Sequence, residues 1–385
     1  MKKITNVPPL RFPGFEGEWE VKKLGDLLEF KNGINASKEQ YGKGIKFINV
    51  LDILNNNFIT YDNIIGRVDV DTNIANKYSV QYGDILFQRS SETREEVGTA
   101  NVYLDKEKSA TFGGFVIRGK KIGDYNPIFF NKLLKTKSAR ESITSKSGGS
   151  TRYNVGQEIL TSVSLCFPSL SEQKKISDFL SLVDERISTQ NKIIEQLETL
   201  IKGLYQKIFK LNRFQFSILP LKSLCTIKKG EQINASKLSE TGIYYVMNGG
   251  ILPSGYHSEY NSDAEIISIS EGGNSCGYVQ YNYTKFWSGG HCYTLKNIDK
   301  IIKNKYLYYY LKANENKIMA LRVGSGLPNI QKSTLEKFEV KIPNLYEQEK
   351  VVLTLESLSN KITVESKLLE QYEKQKKYLL QNLFI

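Results

Sequence analysis

The sequence predicts an α+β protein: two similar mixed α/β domains separated by two long helices, in a chain that repeats itself internally. Three observations predict this. Apolar residues recur at Ile176, Leu180, Val183, Ile187, Ile194, Leu197, Ile201, Leu204 and Ile208, in steps of four and three with one gap at Gln190. A seven-residue apolar repeat is the seam of a helix that packs along another long helix. The pattern returns 175 positions later at Val351, Leu355, Leu358, Ile362, Leu369, Tyr372, Leu379 and Leu383, with Glu365 in the gap and Lys376 in place of Ile201. The lead-in segments match as well: Pro168, Leu170, Glu172 and Gln173 stand against Pro343, Leu345, Glu347 and Gln348. Proline is excluded from a helix interior, so each helix begins after an extended stretch. At about 1.5 Å per residue, a helix over 172–209 is roughly 57 Å long. Packed on each other, the two helices form a spacer; the alternative is two unrelated amphipathic helices, each covering its own domain.

The 385 residues suffice for two or three domains, and 40% hydrophobic with 24% charged residues is ordinary for a globular chain. No run of 18 apolar residues occurs, so no transmembrane helix is expected. The start, Met1 to Asn6, lacks an apolar signal core. Cys166, Cys225, Cys276 and Cys292 show no framework spacing, which points to a reducing cytoplasm. The net charge of +12 resides in the globular parts: residues 1–170 carry +5 and residues 211–344 carry +6, whereas 171–210 carry +1 and 345–385 carry none. A basic surface divided between two similar domains suits a polyanion held at two places, although solubility alone also accounts for such a charge.

In chain order, residues 1–20 form an extended lead-in punctuated by Pro8, Pro9, Pro13, Gly14 and Gly17, whose Phe12, Phe15 and Trp19 can dock on a neighbouring surface. The first domain covers 21–167. Residues 24–30 form a short helix or strand before the Lys31-Asn32-Gly33 turn; apolar runs at 46–50, 84–87 and 114–117 read as strands. A helix spans 127–142, with Pro127 in its first turn, and a polar glycine loop covers 147–154. The first long helix occupies 168–210. The second domain, 211–342, repeats the plan: 221–230 mirrors 24–33, the sequence Ile-Asn-Ala-Ser-Lys at 34–38 returns at 233–237 after a two-residue insertion, and Gly113-Gly114 matches Gly289-Gly290. Residues 129–134 match 307–312, and the loop 324–329 stands for 149–154. Residues 88–97 have no evident partner in 270–277. The second long helix occupies 343–385.

No catalytic constellation emerges. Asn126-Pro127-Ile128-Phe129 is one residue away from an amino-methyltransferase motif, and a helix start explains it without catalysis. There is no G-x-x-x-x-G-K-[ST] phosphate loop and no Pro-Asp pair to open a nuclease metal site. Cys276, His291 and Cys292 lack a fourth ligand and a zinc spacing, so no metal is expected. What remains is recognition: Arg and Lys beside Gln, Asn, Ser and Thr in glycine-punctuated loops can meet phosphates and base edges. The candidate DNA-binding residues of the first domain are Lys31, Asn35, Lys38, Gln88, Arg89, Ser90, Ser91, Thr93, Arg94, Ser150, Thr151 and Arg152. Those of the second are Lys228, Lys229, Gln232, Asn234, Lys237, Asn248, Arg322 and Ser325.

The chain resembles the specificity subunit of bacterial type I restriction–modification enzymes. The resemblance is carried by Leu10 to Phe15 with Glu18-Trp19, by Leu24 to Leu27, and by the doubled Pro-to-Gln lead-ins 167–173 and 342–348. It implies two target-recognition domains that each bind one half of a split double-stranded DNA site, and an antiparallel intramolecular coiled coil with a pseudo-two-fold repeat that sets the unread gap. It further implies two methyltransferase subunits using S-adenosylmethionine on adenine N6, and two ATP- and Mg-dependent translocase–nuclease subunits in complexes that cut. The specificity subunit itself is not catalytic and binds none of these cofactors. A stand-alone methyltransferase or nuclease with unusual motifs, and a coiled-coil adaptor that ignores DNA, are the competing readings.

Overall fold

The two halves of the chain share three sheets, and the first adds a two-stranded one, Ser90–Ser91 with Tyr153–Asn154. The structure is a computed structural model that describes residues 6–149, 152–210, 215–324, 326 and 328–385. It divides into two units, Met1–Thr189 with Leu369–Ile385, and Gln190–Leu368. In the first unit, Leu28–Asn32, Val116–Lys121, Ile85–Gln88 and Ala100–Val102 form an antiparallel four-stranded sheet in that spatial order. In the second, Thr226–Lys229, Cys292–Lys296, Ile266–Ser270 and Val279–Asn282 do the same.

The smaller sheets repeat too. Tyr41–Ile48 lies between antiparallel Arg67–Val68 and parallel Thr111–Phe112, as Tyr244–Met247 lies between Tyr256–His257 and Trp287–Ser288. Glu20–Lys23 pairs with Ser164–Phe167, and Ser217–Pro220 with Glu339–Ile342. Alternation in these strands puts Phe87, Ile117 and Val102 into the core of the first unit, and Ile267, Ile269 and Leu295 into that of the second.

The first long helix runs Leu170–Tyr205, closing with a π turn at Gln206–Lys210, and the second runs Leu345–Asn382. Each starts behind a proline stretch that its glutamine ties down: Gln173 Nε2 donates to Pro168 O while Gln173 Oε1 accepts from Asn126 N–H, and Gln348 does the same with Pro343 O and Lys303 N–H. The helices are antiparallel. In the first unit Ile176, Leu180 and Val183 share a core with Leu379, Leu383 and Phe384. In the second, Gln190 meets Glu365. Among the predicted seam positions, Ile176, Leu180, Val183, Val351, Leu355 and Leu379 are buried. Ile187, Ile194, Leu197, Ile201, Leu204, Leu358, Ile362, Leu369 and Tyr372 are half-buried. Two helices alone leave a seam partly open, and full burial comes where a domain core joins it. Lys376 is no gap in the seam: it pairs with Asp184 at 2.8 Å.

Three elements differ from the sequence reading. The helix over 127–142 is two helices, Pro127–Leu133 and Lys137–Thr144, because Thr136 Oγ1 accepts from Ala139 N–H and caps a new start. Residues 46–50 end a longer strand and begin the helix Val50–Asn55, where Asp52 accepts from Asn49 N–H. The segment 88–97 does have a counterpart. Gly98 N–H closes its loop on Gln88 O as Gly277 N–H closes the other on Ser270 O, so the two loops differ in length and not in kind.

Candidate nucleic-acid interface

The two units present one backbone platform. A Gly-Gly step, Gly113-Gly114 and Gly289-Gly290, leads into each central strand. Gly113 N–H donates to Ile48 O at 3.0 Å and Gly289 N–H to Met247 O at 2.8 Å. Gly33 N–H donates to Val116 O and Gly230 N–H to Cys292 O, at 3.1 and 2.8 Å. A Cβ at Gly114 would overlap the side chain of Asn35, and one at Gly290 that of Gln232, so both steps hold an amide against a glycine, and a side chain there would displace it. Arg89 N–H donates to Phe115 O and Glu271 N–H to His291 O, each at 2.9 Å; Val155 N–H then donates to Arg89 O and Ile330 N–H to Glu271 O, at 3.0 and 2.8 Å. The bonds pair the halves residue by residue: Asn49 with Asn248, Arg89 with Glu271, Phe115 with His291, and, through Ile34 N–H to Phe112 O and Glu231 N–H to Ser288 O, Asn35 with Gln232 instead of the Asn234 that the repeated sequence matches to it.

In the first unit, exposed Arg89 reaches Gly114 O at 3.4 Å and lines an open cleft of about 720 Å³ with Asn32, Gly148, Gly149 and Asn154. Arg152 is exposed two residues before Asn154. Asn35 joins Arg89 through Gly114. Other predicted residues lie elsewhere or are occupied. Lys31 donates to Lys77 O at 3.0 Å and lies over Tyr78, with burial and then the Lys77 charge holding its ammonium below the usual value. Gln88 is buried and donates to Ser90 O, and buried Ser91 donates to Glu96. Thr93 is exposed, and its N–H donates to Ser91 Oγ at 3.3 Å. Arg94 donates to Thr144 O and Ser145 O, satisfying the end of a helix. Lys38 is exposed in a one-turn 3₁₀ helix. Ser150, Thr151 and Ser325 lie outside the described residues.

In the second unit, exposed Lys229 pairs with Glu271 Oε1 at 2.6 Å, and Tyr293 OH donates to the same oxygen at 3.1 Å. Glu271 Oε2 lies 3.8 Å from Nδ1 of exposed His291. Asn248 Oδ1 accepts from His291 N–H at 3.2 Å. Gln232 and Arg322 are exposed; Lys228 pairs loosely with Glu231 at 3.5 Å. Asn234 caps the 3₁₀ helix that carries exposed Lys237. Sequence reasoning missed Asn32, Asn49 and Glu271, and read His291 only as a metal candidate. The Gly-Gly match was the available signal, because the residues packed around a shared glycine step share its frame. Cys276 and Cys292 are buried, whereas His291 faces outward. Asn126 Oδ1 accepts from Phe129 N–H at 3.0 Å, an ordinary helix cap. No helix among the described residues is long and apolar enough to cross a membrane.

Comparison with known proteins agrees over nearly the whole chain. Residues 16–199 and 215–374 match the family described as Type I restriction modification DNA specificity domain. A putative type I restriction enzyme specificity subunit of Methanocaldococcus jannaschii is 25% identical, covering 94% of this chain and 92% of its own. A putative type I specificity subunit of Mycoplasma pneumoniae is 34% identical over 40% of this chain and 43% of its own. The crystal structure of the S subunit of a type I restriction–modification system from M. genitalium superposes with a TM-score of 0.67 at 19% identity, covering 98% of this chain and 99% of that one.

Proposed function

The chain belongs to the type I restriction modification DNA specificity family, and from that premise we propose that each platform reads one half of a split duplex site while the paired helices set the unread gap. The family's role is DNA sequence specificity within an assembly of subunits, and it has no catalytic activity of its own. One observation carries the proposal: the same backbone frame appears twice with different side chains on it, Asn35, Asn49, Arg89 and Phe115 against Gln232, Asn248, Glu271 and His291. Side chains fixed by a shared frame present different donors and acceptors to the major groove, where each base pair is distinguishable. Arg152 and Arg322 add cations that position the protein on phosphates without reading sequence.

The assembly contains two methyltransferase subunits that carry S-adenosylmethionine, and in cutting complexes two translocase–nuclease subunits that use ATP and Mg. A duplicated cleft supports two copies of one partner. In the first unit a cleft of about 720 Å³ is lined by Ile187, Glu373, Lys377, Leu380 and Phe384. In the second, a cleft of about 650 Å³ is lined by Ile362, Glu198, Lys202, Tyr205 and Phe209, the same positions displaced by 175. The complex works in the cytoplasm, where the chromosome is.

The test is a gel shift and methylation assay of the chain with its methyltransferase partner on a randomised duplex library. Two short fixed sequences separated by a constant gap are expected, with affinity falling steeply as salt rises. A complex that binds every sequence alike would refute the reading.

A further inference from the structure

The slot shared by Arg89 and Glu271 carries information beyond a basic surface. In both units the residue there is fixed by the same two backbone bonds, its own N–H to position 115 or 291 and its own carbonyl from position 155 or 330. One half fills it with a side chain that can only donate, and the other with one that, ionised, can only accept. Two domains built on one frame meet the duplex in the same way. The phosphate backbone is chemically the same whatever its sequence, so a slot that faced phosphate would need a cation in both halves. A carboxylate there would be repelled. A slot facing base edges is free to change sign, because the two half-sites differ.

We propose that this slot is a specificity-determining position in each half-site: Arg89 reads guanine directly in the first. In the second, Glu271 acts as a positioning residue for exposed Lys229 and His291. The guanidinium fork of Arg89 matches O6 and N7 of guanine. Glu271 is buried, takes Lys229 Nζ at 2.6 Å and Tyr293 OH at 3.1 Å on one oxygen, and turns the other, which has no hydrogen-bond partner, to within 3.8 Å of His291 Nδ1. The cation at the platform has thus moved from the slot in the first half to Lys229 in the second. Lys229 ends the strand Thr226–Lys229, which Cys292–Lys296 separates from the strand that leads into Glu271.

The inference rests on the DNA-reading function proposed above, and the two fail differently. The complex of this chain with its methyltransferase subunits is assayed on a randomised duplex library, as wild type and as Arg89→Ala, Arg89→Lys and Glu271→Gln. Arg89→Ala is expected to lower discrimination at a single G·C pair of one half-site by roughly tenfold to a hundredfold, leaving the other half-site intact. Arg89→Lys keeps the charge and loses the fork, so it loses most of the same discrimination. Glu271→Gln is expected to alter base preference in the other half-site alone. If Arg89→Ala weakens binding equally on all sequences, lowers the salt slope by about one and leaves the fixed bases unchanged, Arg89 contacts phosphate and the assignment is overturned. Unchanged preference in Arg89→Lys overturns it too. A wild-type complex without sequence preference would instead remove the function on which the inference stands.

Discussion

Gln190 donates its side-chain amide to the carboxylate and backbone carbonyl of Glu365, at 2.6 and 3.1 Å, and the two residues are counterparts across the 175-residue repeat. A helix and its antiparallel copy meet like on like at one place only, so this pair marks where the repeat folds onto itself. A lone polar pair in an apolar seam fixes register at some cost in stability. Slipping by one heptad would set Gln190 against Leu358 or Tyr372 and strand both polar groups. Gln190→Leu alone is therefore expected to lower stability by about 1–3 kcal/mol through the unpaired Glu365. Leu at both positions should restore or exceed the original midpoint while admitting other registers. Urea unfolding of the single and double variants checks this, and an additive loss in the double variant would contradict it.

Arg11 ties the N-terminal lead-in to the first long helix. Its Nε and Nη2 each reach a carboxylate oxygen of Glu172 at 2.8 Å, and Glu172 is 1% exposed. Beside it Phe12 packs edge-on against Phe179, and Trp19 against Phe129 and Phe384. Arg11→Ala leaves a buried carboxylate without its partner and is expected to cost roughly 3–5 kcal/mol. Arg11→Lys recovers little, because an ammonium cannot form the fork. Glu172→Gln together with Arg11→Ala should be milder than Arg11→Ala alone. Thermal unfolding midpoints of the three variants decide the matter.

Periodicity made the long helices, their lead-ins and the doubled plan legible in the sequence, since apolar spacing is set by helix geometry. The Gly-Gly steps were visible as a match, but Asn32, Asn49 and Glu271 were not. Their roles depend on which strands lie side by side, and each unit's sheet places neighbours far apart in the chain, Leu28–Asn32 beside Val116–Lys121 for example. Gln88 and Ser91 were read as surface because they are polar, whereas their side chains find partners inside. Lys376 showed in the sequence only as a replacement for an apolar seam residue, because its partner, Asp184, is remote in sequence.

Asp184 sits between Lys376 and Lys132, the latter donating from helix Pro127–Leu133. Burial pushes its carboxyl up, but hydrogen bonds from the two lysines outweigh that and hold it below its ordinary value of 3.8. A carboxylate depressed on folding stabilises at pH above its unfolded value, and that contribution disappears as pH falls through the lower folded value. The wild-type chain is thus expected to lose stability below about pH 4, and Asp184→Asn to show a flatter profile there. At pH 7 the substitution leaves the nearly buried Lys132 uncompensated and should cost roughly 3 kcal/mol. Urea midpoints at pH 7, 5 and 3.5 measure both effects; parallel curves for the two proteins would rule out the pair as the cause.

The spacer role is tested by lengthening both helices together. Seven residues inserted beside Gln190 and seven beside Glu365 keep the apolar seam in phase, because the repeat has that period. Each insertion adds about 10.5 Å of helix, which corresponds to roughly three base pairs of duplex at about 3.4 Å per step. The methylated target of a cell expressing this variant is expected to keep the bases of both halves and to gain about three unread pairs between them. Insertion into one helix alone leaves Gln190 and Glu365 out of register and should lower the unfolding midpoint instead. Sequencing the modified adenines reports both halves and the gap at once. A changed half-site with an unchanged gap would mean that the helices, and not the platforms, take part in reading bases.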